Sequence, residues 1–274
     1  MQNEPLSLCT IGDLILDVIV LPVGPLAPDA DRPATIRFSA GGQAANVAAW
    51  AAALGARSRL ICKRGTDVSS ELAAGQLRRH GVEICGPVTE GRGGVVVSIG
   101  DPPGDPPGRR TMASDRGVAA LLHGHELDPA WEQSCDVLHV SGYCLLGEPM
   151  AEAAVEAARL ARRVTVDLAS ARDIEAVGAP LFSSRLEALG ADLAFATQSE
   201  RAAVPSFDAN WVIKLGARGA RFPEGLYPAP AVAVVDTTGA GDALAAGYLV
   251  GGPEGAMKAA ARSVGLIGAM PPEA

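Results

Sequence analysis

The sequence predicts an α/β protein: a mostly parallel sheet, helices on both of its faces, and a small second β-sheet beside it. Three observations carry this. Short β-leaning apolar runs alternate with Ala-rich stretches of helical period, two segments read as strand pairs with no helix between them, and a Gly-rich loop runs straight into a late helix.

In chain order, strands are expected at 6–12, 59–62, 136–142, 163–168, 192–197 and 211–216, and helices at 43–54, 68–80, 149–162 and 242–250. Several of these helices place apolar residues at i, i+3 and i+4, which covers one sheet face. Residues 14–40 and 94–113 are the strand pairs, each folded about a turn rich in Pro, Gly and Asp. Together they are expected to form a lid over the strand ends, within one domain spanning 1–274. A cover that excludes water suits group-transfer chemistry.

Composition narrows the function. A chain of 274 residues that is 48% hydrophobic can bury a full core. Its net charge of −8 argues against nucleic acid or an anionic membrane as partner and leaves a small molecule. No apolar run approaches the roughly 20 residues of a membrane span, and the first residues lack a signal peptide's charged and apolar regions, so a cytoplasmic protein is expected. Cys9, Cys62, Cys85, Cys135 and Cys144 are an odd set without CxxC spacing and read as small buried hydrophobes.

The loop "DTTGAGD", 236–242, is the first candidate site. Gly239, Ala240 and Gly241 open a helix, so their N–H groups and the helix dipole favour an anion. Asp242 at the helix start is placed to take a proton from a hydroxyl while those N–H groups stabilise charge on a phosphoryl group. A bland alternative is that Thr238 or Asp242 merely caps the helix. No GxxxxGK[ST] occurs, so this is not a P-loop protein.

The second candidate is "GGQAAN", 41–46, where Gly41 and Gly42 allow close backbone approach and the Asn46 amide offers a donor and an acceptor to a polyhydroxyl ligand. The third is "IGDLILD", 11–17, where Asp17 and Asp13 end the first strand region and a carboxylate facing a pocket can accept sugar hydroxyl groups. A Gly loop feeding a core helix, and solvated strand-end aspartates, are the alternatives. Among lesser candidates, Arg109 and Arg110 read as solvated loop charges, His123 and His125 form an HxH without an obvious third ligand, and Tyr143 suits cleft and core equally.

Together, "DTTGAGD", "GGQAANVAAWAAALGA" and "VIKLGARGA" at 212–220 resemble the ribokinase-like, or PfkB, family of carbohydrate and nucleoside kinases, in the family's order and over most of the chain. The resemblance implies a three-layer α/β sandwich with a β-sheet lid and ATP as phosphoryl donor. It makes Asp242 the catalytic base and the backbone of Gly239, Ala240 and Gly241 the anion hole. Asp17, Gly41, Gly42 and Asn46 would hold the sugar, with Asp13 beside them. Gly216, Gly219, Thr238 and Thr197 would lie at the nucleotide, and Glu200 would hold Mg2+ through water. Potassium ion is a candidate further cofactor, and a homodimer through the lid a candidate assembly. The chain departs from the family pattern at Thr197, where NxxE has Asn, and at Ile15, where ribokinase-type members carry a sugar-binding Asn. The expected activity is phosphorylation of a primary hydroxyl of a small sugar. A nucleoside kinase is the alternative within the family, and a sugar-binding regulator without catalysis the alternative outside it.

Overall fold

The computed structural model describes residues 4–100 and 110–273; the Pro/Gly turn at 101–108 and Arg109 lie outside the described residues. The first strand, β1 (Ser7–Ile11), is the pivot of the main sheet. It pairs in parallel with β4 (Arg57–Ile61) on one side and β8 (Val137–Ser141) on the other. Its side chains from Leu8 to Ile11 are buried, as expected of a strand covered on both faces.

Beyond β4 lies β5 (Glu83–Cys85). Beyond β8 follow β9 (Val164–Asp167), β10 (Leu193–Thr197) and β11 (Asn210–Lys214), all parallel, and then the antiparallel β12 (Ala220–Phe222) and β13 (Gly225–Tyr227). The chain first builds outward from β1 through β4 and β5, then restarts at β8 on the opposite side. Such a switch point opens a crevice at the carboxyl ends of the strands, where ligands of these sheets bind.

Helices cover both faces. α1 (Gln43–Ala53) and α8 (Ala240–Ser263) pack together on one, around Trp50, Val212, Phe222 and Leu244. α2 (Val68–Arg79) extends that layer towards the lid through Ala73, Ala74 and Leu77. The other face is covered by α3 (Pro129–Gln133), α4 (Met150–Leu160), α5 (Ala171–Val177), α6 (Ala179–Leu189) and α7 (Gln198–Ala203), whose core includes Met150, Ile174 and Phe182. The expected layered α/β architecture is thus present. The expected helix at 242–250 is the first part of α8, which resumes after non-helical backbone at Gly251 and Gly252.

Both strand pairs expected of the lid are present. β2 (Ile15–Pro22) and β3 (Ala34–Gly41) pair antiparallel, as do β6 (Gly94–Gly100) and β7 (Arg110–Asp115). β2 also pairs in parallel with β6, which completes a four-stranded sheet ordered β3-β2-β6-β7. Register assigns its faces. Asp17 stands opposite Val96, Ser98 opposite Met112, and Gly100 opposite Arg110, so Asp17, Met112 and Arg110 share one face. Val18, Val20, Ile36, Phe38, Val97 and Ile99 share the other.

Four of the cysteines are buried as expected; Cys85 is only half-buried. Among the described residues no helix is long and apolar enough to cross a membrane.

Candidate active site

The candidate residues converge on the carboxyl rim of the main sheet because β1, β9, β10 and β11 run in parallel and end there. Asp13 and Asp17 follow β1, Asp167 ends β9, Thr197 ends β10, Lys214 ends β11, and α8 starts at the same rim. Close packing beneath the rim depends on a small residue at Gly12, where an added Cβ would stand 2.7 Å from Ala44 Cβ.

Asp242 lies in the first turn of α8, and Asn46 of α1 donates from Nδ2 to its Oδ2 at 2.7 Å. Burial pushes the Asp242 carboxyl up to about 7, and the charges of Asp167 and Asp17 push the same way. The Asn46 hydrogen bond and the Lys214 ammonium act against that shift. The Asp17 carboxyl is also raised by burial to about 7, with Arg110 pulling it down. Two carboxyl groups therefore titrate near neutrality in one cleft, an arrangement suited to proton transfer. Asn46 is 6% exposed, and among the described residues its buried Oδ1 has no partner, so one arm of the amide holds the carboxylate while the other stays available.

Asp236 organises the glycine loop. It accepts from the backbone N–H and hydroxyl of Thr238, from the Gly268 N–H at 3.0 Å and from Arg110 Nη1 at 3.0 Å. Burial alone would raise its pKa, but these hydrogen bonds and the guanidinium hold the carboxyl below its ordinary value. Gly239 adopts a left-handed backbone (φ 72°) and packs against Ala269, where a Cβ would collide. Ala269 is itself held by Trp50, whose Nε1 donates to its carbonyl at 2.8 Å. Thr238 thus faces Asp236 within the loop. Arg110, expected as a solvated charge, instead opens β7 and ties the lid to this loop through Asp236.

The remaining expected residues divide. Gly41 lies against Asp17, whose carboxylate would collide with any Cβ there. Gly42 has φ 100° and abuts the Asp13 carbonyl. Asp13 is committed elsewhere: both its carboxylate oxygens accept from Arg116, at 2.6 and 2.8 Å, which anchors the base of the lid. Gly216 and Gly219 form a turn with positive φ after β11. Thr197 and Glu200 cap α7 reciprocally, Thr197 N–H donating to Glu200 Oε2 at 2.7 Å. Burial pushes the Tyr143 hydroxyl up to about 12, and the charges of Asp173 and Asp242 push the same way.

Two residues of the floor went unread in the sequence. Asp167 is fully buried, and Lys214 Nζ stands 2.8 Å from each of its oxygens and 3.9 Å from Glu200 Oε2. Burial works against the ammonium, yet Asp167 and Glu200 hold its pKa above the ordinary lysine value. Their signal was positional: each is a charged residue closing an otherwise apolar strand run, "VTVD" and "WVIK".

This architecture is that of solved sugar and nucleoside kinases. The adenosine kinase from Sinorhizobium meliloti superposes with a TM-score of 0.83 at 23% identity, over 98% of this chain and 96% of that one. A putative ribokinase II from E. coli, in complex with ATP and Mg2+, superposes with a TM-score of 0.80 at 17% identity, over 98% and 96%. Residues 6–265 match the model of the pfkB family carbohydrate kinases. The chain is also 32% identical over 241 residues to an ATP-dependent ribose-1-phosphate kinase of Halopiger xanaduensis, covering 81% of this chain and 77% of that protein. The chain belongs to the pfkB family of carbohydrate kinases.

Proposed function

We propose that the protein transfers the γ-phosphoryl group of ATP to a primary hydroxyl of a small sugar, with Asp242 as base and the backbone of Gly239, Ala240 and Gly241 as anion hole. The carrying observation is Asp242 in the first turn of α8, oriented by Asn46 beside that loop. Asp242 takes the hydroxyl proton as the oxygen attacks phosphorus, and the N–H groups of the loop meet the charge on the phosphoryl oxygens. The open Oδ1 of Asn46, together with Asp17, would receive sugar hydroxyl groups.

ATP fits the helix start and the glycine turn at Gly216 and Gly219. Mg2+ would neutralise the ATP phosphates. With one oxygen of Glu200 bonded to Thr197, that carboxylate would reach the ion through water.

The similarity to a ribose-1-phosphate kinase supports a pentose as the first sugar to test. A nucleoside is the second reading, favoured by Ile19 and Leu21, which share the Asp17 face of β2 and would suit an apolar base. ADP release from Mg2+-ATP across pentoses, pentose phosphates, hexoses and nucleosides decides between them. Turnover confined to one class is expected; sugar binding by calorimetry without turnover of any compound would make the protein a binding protein instead.

The lid supports a homodimer. Its outer face carries six apolar side chains, with Ile36 and Phe38 each 55% exposed, and pairing two lids would cover them. Light scattering at micromolar concentration is expected to give twice the chain mass, and Phe38→Lys to return it to the monomer. A monomeric parent protein would end this proposal.

A further inference from the structure

Lys214 is a largely enclosed cation, its side chain 14% exposed, in the floor of the cleft, and proton transfer to Asp242 does not by itself require it. It leaves β11 at the rim where ligands of such sheets bind. On one side its Nζ meets both oxygens of Asp167, on the β9 strand two places away. On the other side is the glycine loop: a Cβ built on Gly241 would stand 3.4 Å from Lys214 Nζ and 3.4 Å from its Cδ. The ammonium thus flanks the amides that open α8.

A buried ion pair is a costly way to join two strands, and a well-packed apolar pair often does so equally well. What the apolar pair would not supply is positive charge next to the place where a phosphoryl group acquires negative charge. The carboxylates of Asp167 and Glu200 keep this lysine charged while it is buried, which is the condition for a fixed cation. Asp167 approaches within 2.8 Å and Glu200 within 3.9 Å, so the head group is oriented mainly by Asp167.

We propose that Lys214 is the fixed cation that meets the transferring phosphoryl group on the Gly239–Gly241 loop, held in place by Asp167 and Glu200; this rests on the phosphoryl-transfer reading above. In the step, the bond from the γ-phosphorus to its bridging oxygen breaks and ADP leaves. The substrate oxygen bonds to phosphorus, its proton passes to Asp242, and Lys214 keeps all its protons. The lysine acts on charge alone.

The test compares Lys214→Met, Lys214→Arg and the double variant Lys214→Met with Asp167→Asn, beside Asp242→Asn. The double variant removes the charges of Lys214 and Asp167 together, so Asp167 is not left as an orphaned buried carboxylate if the single variant fails to fold. With folding verified by a cooperative melt, kcat in the Met variants is expected to fall on the order of a hundredfold. The sugar KM is expected to change less than about threefold, since a contact made in the transition state weighs on kcat. Lys214→Arg should restore part of the rate, which a purely structural role of the pair does not predict. A folded double variant with kcat within about threefold of the parent, while Asp242→Asn is inactive, overturns the role of Lys214 and leaves the base intact. Near-normal turnover by Asp242→Asn overturns the underlying reading, and this proposal with it.

Discussion

Asp242→Asn is expected to lower phosphoryl transfer about a thousandfold or more while making the protein more stable at alkaline pH. The loss of rate follows from removing the proton acceptor, because an amide hydrogen-bonds but does not take up the proton. Steady-state ADP release with the preferred sugar measures it, and near-normal turnover would sink the assignment of the base. With Asp242 as the base proposed above, the active form would be the carboxylate, so kcat should rise with pH through about 7.

The stability half has the opposite sign from an ordinary carboxylate. Folding raises the Asp242 pKa from 3.8 to about 7, so between these values the native state binds more protons than the unfolded chain. Its contribution to stability is therefore fully present below about pH 4 and lost as pH rises through 7. Asparagine carries no such dependence. Asp242→Asn should melt higher than the parent at pH 8, by on the order of 1 kcal/mol after solvent screening, and the gap should vanish near pH 4. A gap independent of pH would show that burial of the ionised group is not its cause.

Gly42→Ala should damage fold and site together. Gly42 precedes α1 with φ 100°, a conformation that an L side chain adopts only with strain, and an added Cβ would be driven into the Asp13 carbonyl. A cost of about 2 kcal/mol or more is expected in denaturant melts, with relief by displacement of the start of α1. That displacement carries Asn46 away from Asp242, so kcat should fall even in the folded fraction. Gly55→Ala is the control: its φ is 94° but nothing lies within 4 Å of an added Cβ. It should show the strain without the loss of activity. Equal activity loss in both variants would refute this account of the α1 entry.

The strand alternation and the two signature loops were legible because each is local: apolar period, turn residues and glycine spacing act within a few residues. On that basis the sequence predicted the parallel strands, the lid pairs and the Asp242 loop. What it could not show are pairings made by the sheet itself. Lys214 and Asp167 are 47 residues apart, and only the placement of β10 between β9 and β11 brings them together. Arg110 and Asp236 are 126 residues apart, and the path of β7 decides that the guanidinium reaches the loop instead of solvent. Asp13 looked like a ligand residue for the same reason: its partner Arg116 lies 103 residues away, just after the last lid strand. The short β12 and β13 carry too few residues to announce a period.

Trp50 and Gly239 both bear on Ala269, and Gly268 bonds Asp236. This orders events during synthesis. β1 can begin pairing as soon as β4 and β8 have left the ribosome, whereas the glycine loop gains its backing only once residues 268 and 269 are free. A stalled chain that stops before them would own a nearly complete sheet and an unsupported anion loop. A chain truncated before residue 268 would keep every strand of the main sheet and lose the contacts that back the glycine loop.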